Sequence, residues 1–152
     1  MKAQSRGSVP DIRGRNRACL IDENRVPIRS DIDILTARQR GRALAAEIGF
    51  SSSNLTLIAT TISELARNIV LYARRGEIVL SRLEENGRSG IAVTAQDDGP
   101  GIPDINLAMQ SGYSTSGSLG LGLPGVRRLM DEFVIVSEPR KGTIVTAKKW
   151  IQ

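Results

Sequence analysis

The chain has 152 residues, 40% of them hydrophobic, enough for one ordinary core and so for one domain. It contains no histidine, which excludes imidazole zinc sites, Ser-His-Asp hydrolysis and phosphohistidine chemistry, and its single cysteine permits no internal disulfide. Of the net charge of +5, four units come from residues 1–17, where Lys2, Arg6, Arg13, Arg15 and Arg17 face only Asp11, so the near-neutral, aromatic-poor remainder argues against a nucleic-acid partner.

In chain order, residues 1–17 mix Ser, Gly, Pro and Arg with almost no apolar content and read as a flexible basic tail. Ala18 to Ile28 reads as an edge strand, with Cys19 a small buried residue. Ser30-Asp31 offers an N-cap to a helix carrying Ile34, Leu35, Arg38, Ala45 and Ile48 and ending at Gly49. A second helix begins at Ser51-Ser52-Ser53, its stripe running through Leu55, Ile58, Ile62, Leu65, Ile69 and Tyr72. Glu77 to Leu83 and Gly90 to Ala95 form a hairpin about Glu84-Glu85-Asn86-Gly87. Residues 104–110 suit a short helix and 111–119 a Gly/Ser/Thr loop. Pro124 to Asp131 reads as helix, and Phe133 to Ser137 with Thr143 to Trp150 as a second hairpin. This order predicts an α+β fold, a two-layer sandwich of a largely antiparallel mixed sheet with helices on one face. No apolar run approaches the ~20 residues that cross a bilayer, so the expected partners exclude a membrane and the expected location is the cytoplasm.

Three short motifs carry chemistry. Glu64 and Asn68, four apart, share a helix face with Leu57, Thr61 and Leu71, opposite the apolar stripe; such a face is either solvated or the wall of a cleft. An Asn amide oxygen suits Mg²⁺, and a Glu one turn earlier can orient or deprotonate a hydroxyl attacking a γ-phosphate. Asp97 ends a strand, with Gly99 and Gly101 behind it. Such a carboxylate accepts from an exocyclic amine such as adenine N6 but not from the guanine carbonyl, although the same residues also make a plain turn. Gly117, Gly120 and Gly122 precede a helix, where free amides bind phosphate or a linker merely turns; the Walker lysine pattern is absent. Between the glycine turns, Ser111 to Ser118 has the composition of a mobile lid.

Taken in order, Glu64-x-x-x-Asn68, Asp97-x-Gly99-x-Gly101 and Gly120-Leu121-Gly122-Leu123 resemble the N box and the two glycine boxes of the GHKL ATPase superfamily. From about residue 30 to the C-terminus the strings Ser63 to Ile69, Asp98 to Ile105, Leu121 to Val126, Leu129 to Phe133 and Lys148 to Trp150 resemble its serine/threonine switch kinases of bacterial partner switching. The resemblance implies a Bergerat-type ATP pocket within a kinase domain at 18–152. It implies Mg²⁺ at Asn68, a catalytic Glu64, the adenine contact at Asp97 and close packing under the base by Gly101, with Gly99 and Ile102 also among the nucleotide-binding residues. Phosphate contacts then fall to Ser114, Thr115, Ser116, Gly117, Gly120, Leu121 and Gly122. The implied substrates are Ser or Thr residues of STAS-domain stressosome or antagonist proteins, and the implied later partner is a PP2C-type phosphatase. The rival expectations are an anti-sigma factor kinase of the same superfamily and a non-catalytic ATP-gated binding module.

Overall fold

A computed structural model of the chain describes residues 19–102, 108–109 and 122–152. The basic tail, all but Ala108 and Met109 of the short helix expected at 104–110, and the glycine/serine loop lie outside these residues, as do the side chains of Cys19 and Leu20.

Strand β1 (Cys19–Ile28) leads through Ser30 into helix α1 (Asp31–Ile48). Asp33 closes the first turn, its carboxylate receiving the N–H groups of Arg29 and Ser30 at 2.8 and 3.2 Å. Gly49, at φ 112°, ends α1 in the left-handed conformation and returns its N–H to Ala45 and Ala46. Ser51 then caps helix α2 (Ser52–Asn68), its hydroxyl accepting from the Asn54 N–H. The two helices cross at Gly41, where a Cβ would lie 2.0 Å from Ile62 Cδ1. On α1 the buried face is Ile34, Ala37, Gly41, Leu44, Ala45 and Ile48, while Leu35 and Arg38, expected on that stripe, face solvent.

Strands β2 (Gly76–Glu85) and β3 (Arg88–Asp97) form the first hairpin, with both Asn86 and Gly87 at positive φ as a tight turn between right-twisted strands requires. Helix α3 (Gly122–Leu129) precedes the second hairpin, β4 (Glu132–Glu138) and β5 (Gly142–Trp150). The sheet order is β1-β2-β3-β5-β4 and every pairing is antiparallel, with no parallel pair among the described strands. Its inner face, carrying Val26, Ile28, Ile78, Leu80, Ile91, Val93, Ala95, Val145 and Ala147, packs on the helices. This is the two-layer α+β sandwich read from the element order. The opposite face holds a small cluster of Leu83, Ala92 and Trp150, the indole capped by the Arg88 guanidinium at 4.2 Å. Among the described residues no helix is long and apolar enough to cross a membrane.

Candidate nucleotide and phosphoryl-transfer site

Burial along α2 decides which kind of face Glu64 and Asn68 occupy. Thr61 is fully buried and Glu64 is only 7% exposed, so the polar face is a cleft wall rather than a solvated surface. Leu57 and Asn68 are half-buried beside them, and Leu71 is exposed. Beyond Asn68 the helix widens into a π-helical turn, Ile69–Ala73. That widening breaks the three- and four-residue stripe: Ile69 stays in the core, but Tyr72, expected there, swings to the surface. Arg74, at φ 73°, ends the turn.

Both oxygens of Glu64 are engaged. Oε2 accepts from Arg67 Nη1 at 2.7 Å, and Oε1 accepts from the backbone N–H of Gly122 at 3.2 Å, at the first residue of α3. The amide that the glycine motif offers to an anion is thus met by a carboxylate from the neighbouring helix. Arg67 was not read as a site residue from the sequence. Its position three residues after Glu64, one turn along the same helix, was the available signal.

Asp97 ends β3 on the inner face of the sheet, following Val93 and Ala95 at alternate positions. Its Oδ1 accepts from the Gly99 N–H at 2.8 Å. Burial raises the carboxyl above its ordinary range; the backbone N–H groups of Gly99 and Thr143 oppose this, and the neighbouring Asp98 charge adds to it. Gly99 lies on the π-helical turn, where a Cβ would sit 2.7 Å from that of Ala73. This contact joins the Glu64/Asn68 helix to the Asp97 turn.

The turn itself is locked to the second hairpin. Gly101, at φ 83°, leaves no room for a Cβ, which would lie 2.4 Å from the Glu138 carbonyl oxygen. The Arg140 N–H donates to the Pro100 carbonyl at 2.8 Å and the Ile102 N–H to Ser137 Oγ at 2.7 Å. Ser137 Oγ is in turn 2.8 Å from Thr143 Oγ1. Ile102 is half-buried and packs against the main core. Ser137, Gly142 and Thr143, all missed in the sequence, are the supports of this turn.

Ser114, Thr115, Ser116, Gly117, Gly120 and Leu121 lie outside the described residues. Among the expected site residues within them, Glu64 and Gly122 meet directly, and Asn68 precedes the π-helical turn that Gly99 and Asp97 adjoin. A groove of about 850 Å³ opens at the same end of the sheet but takes in the outer face; it is lined by Asp97 and Asp98 but by neither Glu64 nor Asn68.

Comparison with known proteins gives this arrangement its class. Residues 53–151 match the family described as "Histidine kinase-, DNA gyrase B-, and HSP90-like ATPase", and the chain belongs to that family. The solved histidine kinase domain from Erythrobacter litoralis EL346 blue-light activated histidine kinase aligns with a TM-score of 0.46 at 20% identity, over 78% of this chain and 59% of that chain. Among curated proteins, "Serine/threonine-protein kinase RsbT" of Bacillus subtilis (strain 168) is 50% identical over 131 residues, 86% of this chain and 98% of that protein. "Anti-sigma F factor" of Geobacillus stearothermophilus is 33% identical over 120 residues, covering 74% of this chain and 81% of that protein. The chain is accordingly an RsbT-like protein serine/threonine kinase of the partner-switching type, using ATP.

Proposed function

We propose that this kinase uses MgATP to phosphorylate Ser or Thr residues of a STAS-domain stressosome or antagonist protein. Glu64 acts as general base, Asn68 holds the metal and Asp97 selects adenine. The phosphorylated kinase substrate then releases it to bind and activate a PP2C-type phosphatase. The observation that carries the assignment of roles is the buried Glu64, placed against the N-terminus of α3.

The donor set fits the ion. Asn68 offers a neutral hard oxygen, and among the described residues no three His, Cys, Asp or Glu side chains gather into a cage. That is the pattern for Mg²⁺, which keeps waters and takes its remaining ligands from phosphate. Bound there, it would neutralise phosphate charge. The chain supplies the rest: the Glu64 carboxylate takes the proton from the substrate hydroxyl as its oxygen bonds to the γ-phosphorus. The bond from that phosphorus to the β-bridging oxygen breaks, and ADP leaves with the bonding pair. Backbone amides at the start of α3 would meet the phosphates of a bound nucleotide.

Incubation with labelled ATP, Mg²⁺ and purified STAS-domain proteins tests this reading; label on a Ser or Thr of one of them is expected, and no transfer to any overturns it. The likeness to anti-sigma F factors keeps the sigma-factor reading as the rival, and co-purification with sigma factors rather than STAS proteins would favour it.

Two further results are expected. Asp97→Asn keeps the acceptor that meets the Gly99 N–H but confronts adenine N6 with a second donor. ATP affinity should fall by about 1–3 kcal/mol, roughly 5- to 150-fold, read by titration calorimetry. Because the folded state raises the Asp97 pKa, it binds the proton more tightly than the unfolded chain does. The charged form therefore carries a penalty that is absent at low pH and grows as pH rises upward from the ordinary value of 3.8. Asp97→Asn should flatten that acidic decline in the urea midpoint of the ATP-free protein while ATP binding weakens. Separately, we read 18–152 as the kinase domain. Deleting residues 1–17 should leave kcat and the ATP affinity unchanged in the same transfer assay.

A further inference from the structure

The engagement of both Glu64 oxygens does not follow from general-base chemistry. A base waiting for a hydroxyl needs a lone pair directed at it, and each contact fixes where the carboxylate's lone pairs point. Here one oxygen holds the Gly122 N–H and the other a guanidinium on the next helical turn. In the proposed site the Gly122 N–H is also a group that meets the nucleotide phosphate, and a carboxylate and a phosphate cannot share it: their like charges repel and a single N–H serves one acceptor at full strength. Phosphate entering at α3 must therefore expel Glu64 from Gly122. Arg67 determines where the expelled carboxylate goes. Its side chain is 38% exposed against 9% for Glu64, so it reaches from the buried carboxylate toward solvent.

We propose that Arg67 is a positioning residue and that the Arg67–Glu64–Gly122 contact is an autoinhibitory latch. Without nucleotide, Glu64 occupies the phosphate's place on the α3 N-terminus. With nucleotide, it is displaced and swings about its Arg67 contact, freeing Oε1 to face the incoming hydroxyl. This inference rests on Glu64 as the base. It adds that the base is withheld until phosphate arrives, which keeps a buried carboxylate paired throughout and couples nucleotide binding to competence for transfer. The fork geometry of arginine suits a pivot, since one N–H can hold Oε2 while the carboxylate turns.

The experiment compares Arg67→Gln, Arg67→Lys and Glu64→Gln in the full chain, measuring ATP dissociation constants by calorimetry and single-turnover transfer to the STAS-domain substrate. Arg67→Gln should lower the transfer rate about tenfold to a hundredfold, the cost of a misaligned base, while ATP affinity stays the same or tightens, because Glu64 is held less firmly against Gly122. Arg67→Lys should recover part of the rate, as a point charge without the fork. Glu64→Gln should tighten ATP binding, since a neutral amide no longer repels phosphate. A merely structural Arg67 would lower stability and ATP affinity together, and that result would overturn the proposal. So would transfer by Arg67→Gln within about twofold of the wild-type rate while Glu64→Gln is inactive, which leaves Glu64 as the base intact. Persistent transfer by Glu64→Gln would instead remove the base assignment itself.

Discussion

Glu64→Ala should abolish phosphoryl transfer while ATP still binds. The expected loss is about 10²–10⁴-fold in the single-turnover rate, the usual contribution of a positioned general base. ATP affinity should hold or tighten, because the proposed adenine end of the site is built from different elements and the carboxylate that competes with phosphate at Gly122 is gone. The Asp97 turn hangs on the β4–β5 hairpin through Ile102, Ser137 and Arg140, and none of those bonds involves α2. The substitution does disturb one local contact, the Gly122 N–H, which loses its acceptor at the start of α3. Leaving such a group unpaired costs about 1–3 kcal/mol when water cannot reach it, and less where it can. Retained thermal unfolding and ATP affinity at or above the parent value, together with lost transfer, would separate chemistry from folding. Transfer near the wild-type rate would refute the base assignment. It would leave Glu64 as a structural acceptor for α3 and move the base role to another group.

Local chemistry explains which parts of this structure were legible in the sequence. Gly49 after α1, Ser51 before α2 and Asn86-Gly87 between β2 and β3 each solve a backbone problem that few residues can solve, so each marked its boundary closely. The antiparallel pattern followed from two short hairpins. Three features were not legible, because they depend on contacts between elements distant in the chain. The π-helical turn after Asn68 breaks the apolar stripe without any proline or glycine, and it packs against Gly99 and Gly76, both distant in the chain from the stripe it interrupts. The solvent side of α1, with Leu35 upon it, was set by the close crossing at Gly41, which no periodicity reveals. The third feature is the support of the Asp97 turn, which comes from residues about 40 positions away whose own sequence, Ser137 to Thr143, reads as an ordinary hairpin loop. Motif order located the candidate site residues, while the bonds that hold them in place had to be seen.

Gly142 is where that support is most vulnerable, and Gly142→Ala should be among the most damaging single-methyl additions in the chain. At φ 106° the residue occupies a conformation that alanine adopts only with strain, at about 1–2 kcal/mol. The added Cβ would lie 2.0 Å from the Asp97 carbonyl oxygen and 2.9 Å from both the Asp97 carbonyl carbon and the Asp98 Cα. All three are backbone atoms, so no side-chain rotation relieves the overlap, and β5 must part from the end of β3. Strain and overlap together should cost about 3–5 kcal/mol, a large share of the 5–15 kcal/mol that holds a domain folded. For a chain of this size that lowers the melting temperature by roughly 6–20 °C. Gly87→Ala is the control: φ there is 80°, equally left-handed, but nothing lies within 4 Å of the added methyl. It should carry only the conformational cost. The two variants should also differ in function, because of the pair only Gly142 abuts Asp97, the proposed adenine contact, and Asp98. At a temperature where both remain folded, Gly142→Ala should bind ATP more weakly than Gly87→Ala, which should match the parent chain. Equal melting temperatures and equal ATP affinities for the pair would show that the Asp97 turn does not depend on the β4–β5 hairpin for its position.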